Sequence, residues 1–190
     1  MLLWSARGNW CGCFSLQLYE IFINLLPEKE SMLSSFVKKL MFARQFDIAD
    51  GKISVLGINQ VMLPADLLDF LQNTDQKNFY KYVKLSVKKD SAAYAHKIGS
   101  TEEGLQKNVA DIFETFGIGR MSIEAIDNSR QTATIRVDDS PFTEKHSKPN
   151  CLLTAAVLAG IFSFIFRKDV DGKEEKCIAA HAQYCEFTIG

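Results

Sequence analysis

Apolar residues recur along this chain at helical spacing in some stretches and at alternate positions in others, and the switches between the two outline the elements. Phe36, Leu40 and Met41 predict a short helix. The runs 45–48 and 52–56 flank Asp50-Gly51, a pair that signals a hairpin. Pro64 suits the first position of a helix with Leu67, Leu68 and Leu71 as its inner face. A longer helix is predicted over 78–98, with Phe79, Val83 and Val87 on one face and Lys77, Lys81, Lys84 and Lys88 on another. Ser100 and Glu103 form a capping-box pattern before a helix striped by Leu105, Val109, Ile112, Phe113 and Phe116, which Gly117 ends. The period then shortens. Met121, Ile123, Ala125 and Thr132, Thr134, Arg136 alternate about Asp127-Asn128 and predict a second hairpin, followed by a polar loop over 143–148.

The last stretch organises the rest. Residues 151–166 are apolar nearly all round, interrupted by Thr154, Gly160 and Ser163. As a helix they would be roughly 24 Å long, short of the roughly 30 Å hydrocarbon core of a bilayer, so a buried core helix is expected rather than a transmembrane segment. Asn150 is a suitable N-cap, which places Cys151 in the first turn, where backbone amides favour a thiolate. Residues 170–179 and 184–189 then read as strands around a tip at 180–182. In that hairpin Cys177 and Cys185 face each other, close enough to share a metal ion or to form a disulfide. Strands 121–126, 132–137, 170–179 and 184–189 are expected to share one antiparallel sheet with helix 151–166 against it. The expected fold class is α+β, a single domain with an antiparallel sheet packed on several helices.

Composition narrows the function classes. The chain has 190 residues, 47% of them hydrophobic, enough for one domain with a real core. A formal net charge of -1 gives no electrostatic footprint for direct nucleic-acid binding, and the lysine stripe reads as a solvated face. Five cysteines, an odd number and widely spaced, point to reduced thiols and a cytoplasmic setting rather than a secreted disulfide framework. Residues 1–31 form an N-terminal extension in which Phe14, Leu18, Phe22 and Leu25 suit an amphipathic helix. No G-x-S-x-G, P-loop or H-E-x-x-H motif occurs, Gly117-Ile118-Gly119 lacks the third glycine of a dinucleotide fingerprint, and His96, His146 and His181 fall in separate elements. No residue is singled out as catalytic. Phe79, Tyr82, Phe113, Phe116, Phe162 and Tyr184 lie on elements that converge, where they either fill a core or line an apolar pocket.

The order of Cys151, Leu158-Ala159-Gly160, Phe162-Ser163, Glu174, Cys177, Cys185 and Phe187 resembles the 4-vinyl reductase (4VR) domain family. Phe116-Gly117-Ile118-Gly119 and Asp139-Ser140-Pro141-Phe142 extend the resemblance, which runs over about residues 32–190. This chain departs from the family at His181-Ala182, where Gly-Asp is usual, and at Leu152, where an aromatic residue or histidine is usual. The resemblance implies a homodimeric ligand-binding domain for an apolar or aromatic small molecule, acting as a stand-alone sensor. It also leaves open a reductase-associated or tetrapyrrole-handling protein and an assembly or tethering subunit. It further implies a structural zinc held by Cys151, Glu174, Cys177 and Cys185. In a regular strand Glu175, not Glu174, shares a face with Cys177, so Glu174 reaches that site only through a bulge or irregular strand.

Overall fold

The computed structural model describes residues 35–97, 102–142 and 151–190. The readings on the N-terminal extension, Asn150, Ser100, His146 and the 143–148 loop lie outside them. Helix α1 (Ser35–Phe42) leads into an antiparallel meander of β1 (Phe46–Ala49), β2 (Lys52–Val55) and β3 (Ile58–Gln60). Helices α2 (Ala65–Thr74), α3 (Gln76–Lys97) and α4 (Glu102–Thr115) precede the hairpin β4 (Arg120–Asp127) and β5 (Thr132–Asp138). Helix α5 (Leu152–Ile165) then leads to β6 (Gly172–Lys176), a one-turn 3-10 helix (Ile178–Ala180) and β7 (Cys185–Ile189).

The four later strands form one antiparallel sheet in the order β4-β5-β7-β6, and α5 packs on its inner face, as the alternation predicts. Ile135, Val137, Cys185 and Phe187 point inward and are fully buried, together with Leu158, Ala159 and Phe162 of α5. Their neighbours Thr134, Arg136, Glu186 and Thr188 take the opposite face, which is the period-2 pattern of a sheet covered on one side. Helix α3 closes the other flank of α5. At Gly160 the two backbones meet: a Cβ there would lie 2.7 Å from the Lys84 carbonyl oxygen and 2.8 Å from Val87 Cβ. No helix among the described residues is long and apolar enough to cross a membrane.

The architecture is the expected α+β class, with several local corrections. The expected hairpin at Asp50-Gly51 is present, both residues having positive φ (51° and 74°), but a second such turn at Leu56-Gly57 adds β3 and makes a separate small sheet. Leu56 accepts φ 52° because its side chain packs with Leu40, Val55 and Tyr94. The inner face of α2 is not Leu67, Leu68 and Leu71. Leu67 and Leu71 are exposed and Gln72 is fully buried. The lysine stripe is not uniformly solvated either: Lys84 is buried and pairs with Asp169 (3.2 Å) and Asp171 (2.7 Å) in the segment after α5. Tyr80, one turn earlier, accepts a hydrogen bond from the Gly172 N–H at 2.8 Å, so this face of α3 ties the helix to the start of β6.

Candidate functional site

Three elements bring the C-terminal cysteines together. Cys151 is itself the N-cap of α5, one position earlier than expected, and its carbonyl accepts from Ala155 N at 2.9 Å. Strand β6 ends at Lys176, so Cys177 does not face Cys185 across a hairpin. Cys177 caps the 3-10 turn, and its carbonyl accepts from both Ala180 N (3.0 Å) and Ala182 N (3.1 Å). Cys185 opens β7 and pairs in register with Val137 of β5. The turn replaces the expected strand extension and folds Cys177 back over the end of α5. The Cys151 sulfur then lies 3.7 Å from that of Cys177 and 3.9 Å from that of Cys185, and all three are buried free thiols.

Glu174 completes the group. The β6–β7 register shifts between Glu174 and Lys176, so Glu175 is the extra residue and Glu174 keeps the inward face opposite Phe187. One Glu174 oxygen accepts from Cys151 N at 3.3 Å, while Oε1 is buried with no hydrogen-bond partner. A ligand atom from each of Cys151, Glu174, Cys177 and Cys185 lies within 4.8 Å of every other, close enough to hold a metal ion.

Charge within the cluster is frustrated. The hydrogen bond with Cys185 pushes the Cys151 thiol far up, reinforced by burial and by the Glu174 charge. Burial, followed by Glu174, pushes Cys177 up to about 11. Cys185, which receives the Cys151 hydrogen bond and a further one from Ile178 N, comes down to about 7 despite its burial. Three thiolates and a carboxylate repel one another in so small a volume, and a divalent cation is what allows all four to ionise together.

A glutamine that the pattern did not single out holds the helix end in place. Gln72 of α2 accepts from Leu153 N at 2.9 Å through Oε1 and donates to Asp69 at 2.8 Å through Nε2. It satisfies one of the amides that the first turn of α5 leaves without a helical partner.

The opposite face of α5 borders a cavity of about 360 Å³ lined by residues of α2, α3, α4 and α5 and the loops at their ends. Leu153, Val157 and Ile161 of α5 form one wall, and Phe113 and Phe116 of α4 and its end form another. Those two are the members of the six-aromatic set that the structure places on the cavity. Phe162 is fully buried in the core against Phe166, with ring centroids 5.4 Å apart. Tyr82 is 66% exposed and Phe79 half-buried on α3. Tyr184 stacks under Arg136 (4.2 Å to its centroid) on the outer face of the sheet. Tyr94, Asp90 and Ser91 also line the cavity but were not picked out. Continuing the Val83–Val87 face of α3 by four and seven residues leads to Ser91 and Tyr94, a signal that was available.

A buried helix on a one-sided antiparallel sheet, with a cavity on its outer flank and a thiol cluster at its start, defines a small α+β pocket domain. Residues 133–190 match the family model of the vinyl-4-reductase (4VR) domain, which bears out for that stretch the resemblance carried by the cysteine spacing. The match takes in β5, α5, β6, β7 and all four cluster residues. In fold, the chain is similar to the phenol-responsive sensory domain of the transcription activator PoxR with phenol, at 16% identity and a TM-score of 0.63, covering 83% of this chain and 90% of that one. A vinyl-4-reductase family protein from Methanocaldococcus jannaschii aligns at 13% identity and a TM-score of 0.47, covering 69% and 83% of the two chains. A trafficking protein particle complex subunit 3 from Naegleria fowleri, covalently bound to palmitic acid, aligns at 14% and 0.45, covering 66% and 87%. No curated protein sequence matches the chain.

Proposed function

We propose that this domain is a small-molecule sensor module that binds an apolar or aromatic ligand in the α2–α5 cavity and carries a structural zinc at Cys151, Glu174, Cys177 and Cys185. The observation that carries the reading is the placement of one helix on both sites. Cys151 caps α5 inside the cluster, and Leu153, Val157 and Ile161 of the same helix form the cavity wall. A cavity of about 360 Å³ is within the size range of small-molecule sites, and its walls are mainly apolar. The fold likeness to the phenol-responsive domain supports the same reading.

The donor set fits zinc. Zinc–thiolate bonds of about 2.3 Å in a tetrahedron place sulfurs about 3.8 Å apart. The Cys151 sulfur is 3.7 Å and 3.9 Å from its two partners. The unpartnered Glu174 Oε1 supplies the fourth donor and gains the partner that a buried carboxylate oxygen needs. When bound, zinc supplies charge neutralisation and a cross-link, with no open position for a reacting water, so its role is to fix α5 against β6 and β7. Thiolate ligands are preserved in a reducing, cytoplasmic setting.

The reading includes a homodimer, because exposed apolar side chains on α1 and α2 need cover that a second copy supplies. Elemental analysis of protein purified without chelator should give about one zinc per chain. Thermal melts against a panel of phenols and short hydrocarbons should show a rise in Tm. A metal-free protein whose Tm is unchanged in Cys177→Ser overturns the zinc site, and a panel with no shift overturns the sensor reading.

A further inference from the structure

The cavity has one polar end, and its chemistry narrows the ligand if the sensor reading holds. Gln60, Asp90, Ser91 and Tyr94 line that end, the last three from neighbouring turns of α3. Gln60 Nε2 donates to the Tyr94 hydroxyl at 3.1 Å, which leaves that hydroxyl's own proton without an acceptor among the described residues. Ser91 is 5% exposed and makes no side-chain hydrogen bond among them. Asp90 likewise has no ion-pair partner among the described residues, and no lysine, arginine or histidine lines the cavity.

Aromatic rings surround this end. Tyr94 and Phe116 sit 6.1 Å apart at 44°, and Phe113 and Phe142 line the space beside them. An unpaired carboxylate next to ring faces is an arrangement that attracts a cation: the carboxylate supplies the counter-charge and the rings supply their negative quadrupole faces. A ligand carboxylate or phosphate would instead meet Asp90 with like charge and find no cationic partner. The local field is negative enough to register on a neighbour, since burial and then the Asp90 charge push the Tyr94 hydroxyl up to about 12.

We propose that the cavity selects an apolar amine, an aryl or alkyl ammonium ion whose nitrogen sits at Asp90, Ser91 and Tyr94 and whose hydrocarbon lies against Phe113, Phe116 and Val157. The full chain is titrated calorimetrically near neutral pH with three molecules of matched shape: 2-phenylethylamine, 2-phenylethanol and phenylacetate. The amine should bind about tenfold or more tightly than the alcohol, and phenylacetate most weakly. Asp90→Asn, nearly isosteric and on a half-buried position, should remove the preference for the amine, and Tyr94→Phe should weaken the amine as a second, independent variant. Circular dichroism establishes that each variant is folded. Equal binding of amine and alcohol, or an amine preference that survives Asp90→Asn, overturns the amine assignment while the cavity reading stands. No binding by any of the three, with no Tm shift from the wider phenol and hydrocarbon panel, overturns both.

Discussion

Glu174 accepts a hydrogen bond from the backbone N–H of Cys151 at 3.3 Å with one oxygen and leaves the other buried without a partner. An unpaired buried carboxylate oxygen is costly, and the atoms nearest to answering it are the three thiols. Glu174→Gln keeps the shape and an acceptor for Cys151 while removing the charge. The variant should lose zinc to a chelator that leaves the wild type loaded, with a lower Tm. Glu175→Gln, on the exposed bulge residue next to it, should retain zinc like the wild type. Atomic absorption after dialysis reads both, and equal retention in the two variants would sink the assignment of Glu174.

Gln72 and Leu153 are 81 positions apart in sequence and joined by a 2.9 Å hydrogen bond. Gln72→Ala leaves the Leu153 amide buried and unsatisfied in the first turn of α5. Such a group costs about 1–3 kcal/mol, to which the lost packing adds. Urea unfolding should show that loss. A midpoint unmoved from wild type would mean that water reaches the amide.

These two contacts mark the limit of what could be read from the chain. The four-stranded sheet and α5 were legible because a sheet buried on one side imposes alternation on every strand, and an all-apolar helix has nowhere to go but inside. The cluster was legible in its spacing, and the difficulty with Glu174 parity identified the bulge that resolves it. Gln72 was not legible: its burial depends on a donor from a distant helix end, which no local pattern encodes. Lys84 was misread for the same reason, since Asp169 and Asp171 arrive from beyond α5. The third strand of the meander escaped because Leu56, an apolar residue, occupies a left-handed turn position usually given to Asn or Gly.

Gly160 sits mid-helix, where alanine is intrinsically favoured by about 1 kcal/mol. Packing decides against it. The added methyl would lie 2.7 Å from the Lys84 carbonyl oxygen, a backbone atom that cannot swing aside, so α3 and α5 must separate. Gly160→Ala should therefore destabilise by about 1–3 kcal/mol net, measured by chemical denaturation. A stabilised variant would show that the two helices part without cost.

His181 ends the 3-10 turn with φ 66°, a left-handed conformation that costs an L-residue about 1–2 kcal/mol. Glycine escapes that strain but loses about 0.5–1 kcal/mol through greater freedom in the unfolded chain. His181→Gly should come out about 0.5 kcal/mol more stable, whereas His181→Val should lose stability because a β-branched side chain crowds this conformation. Paired thermal melts give the ordering, and Val at or above His would refute it.

Phe42, Val61, Met62 and Phe70 are 94%, 78%, 74% and 67% exposed on α1, α2 and the loop between β3 and α2. Single exposed apolar residues are ordinary, but four large ones on consecutive elements form the kind of surface that a soluble domain normally covers. A second copy covers such a surface without any further component, by a symmetric contact in which the same side chains serve both partners. Light scattering should give twice the 21.4 kDa chain mass at micromolar concentration. Phe70→Glu combined with Met62→Glu should shift the mass to that of one chain while circular dichroism stays that of the wild type, because neither side chain supports the core. A wild-type protein that scatters as one chain ends the homodimer.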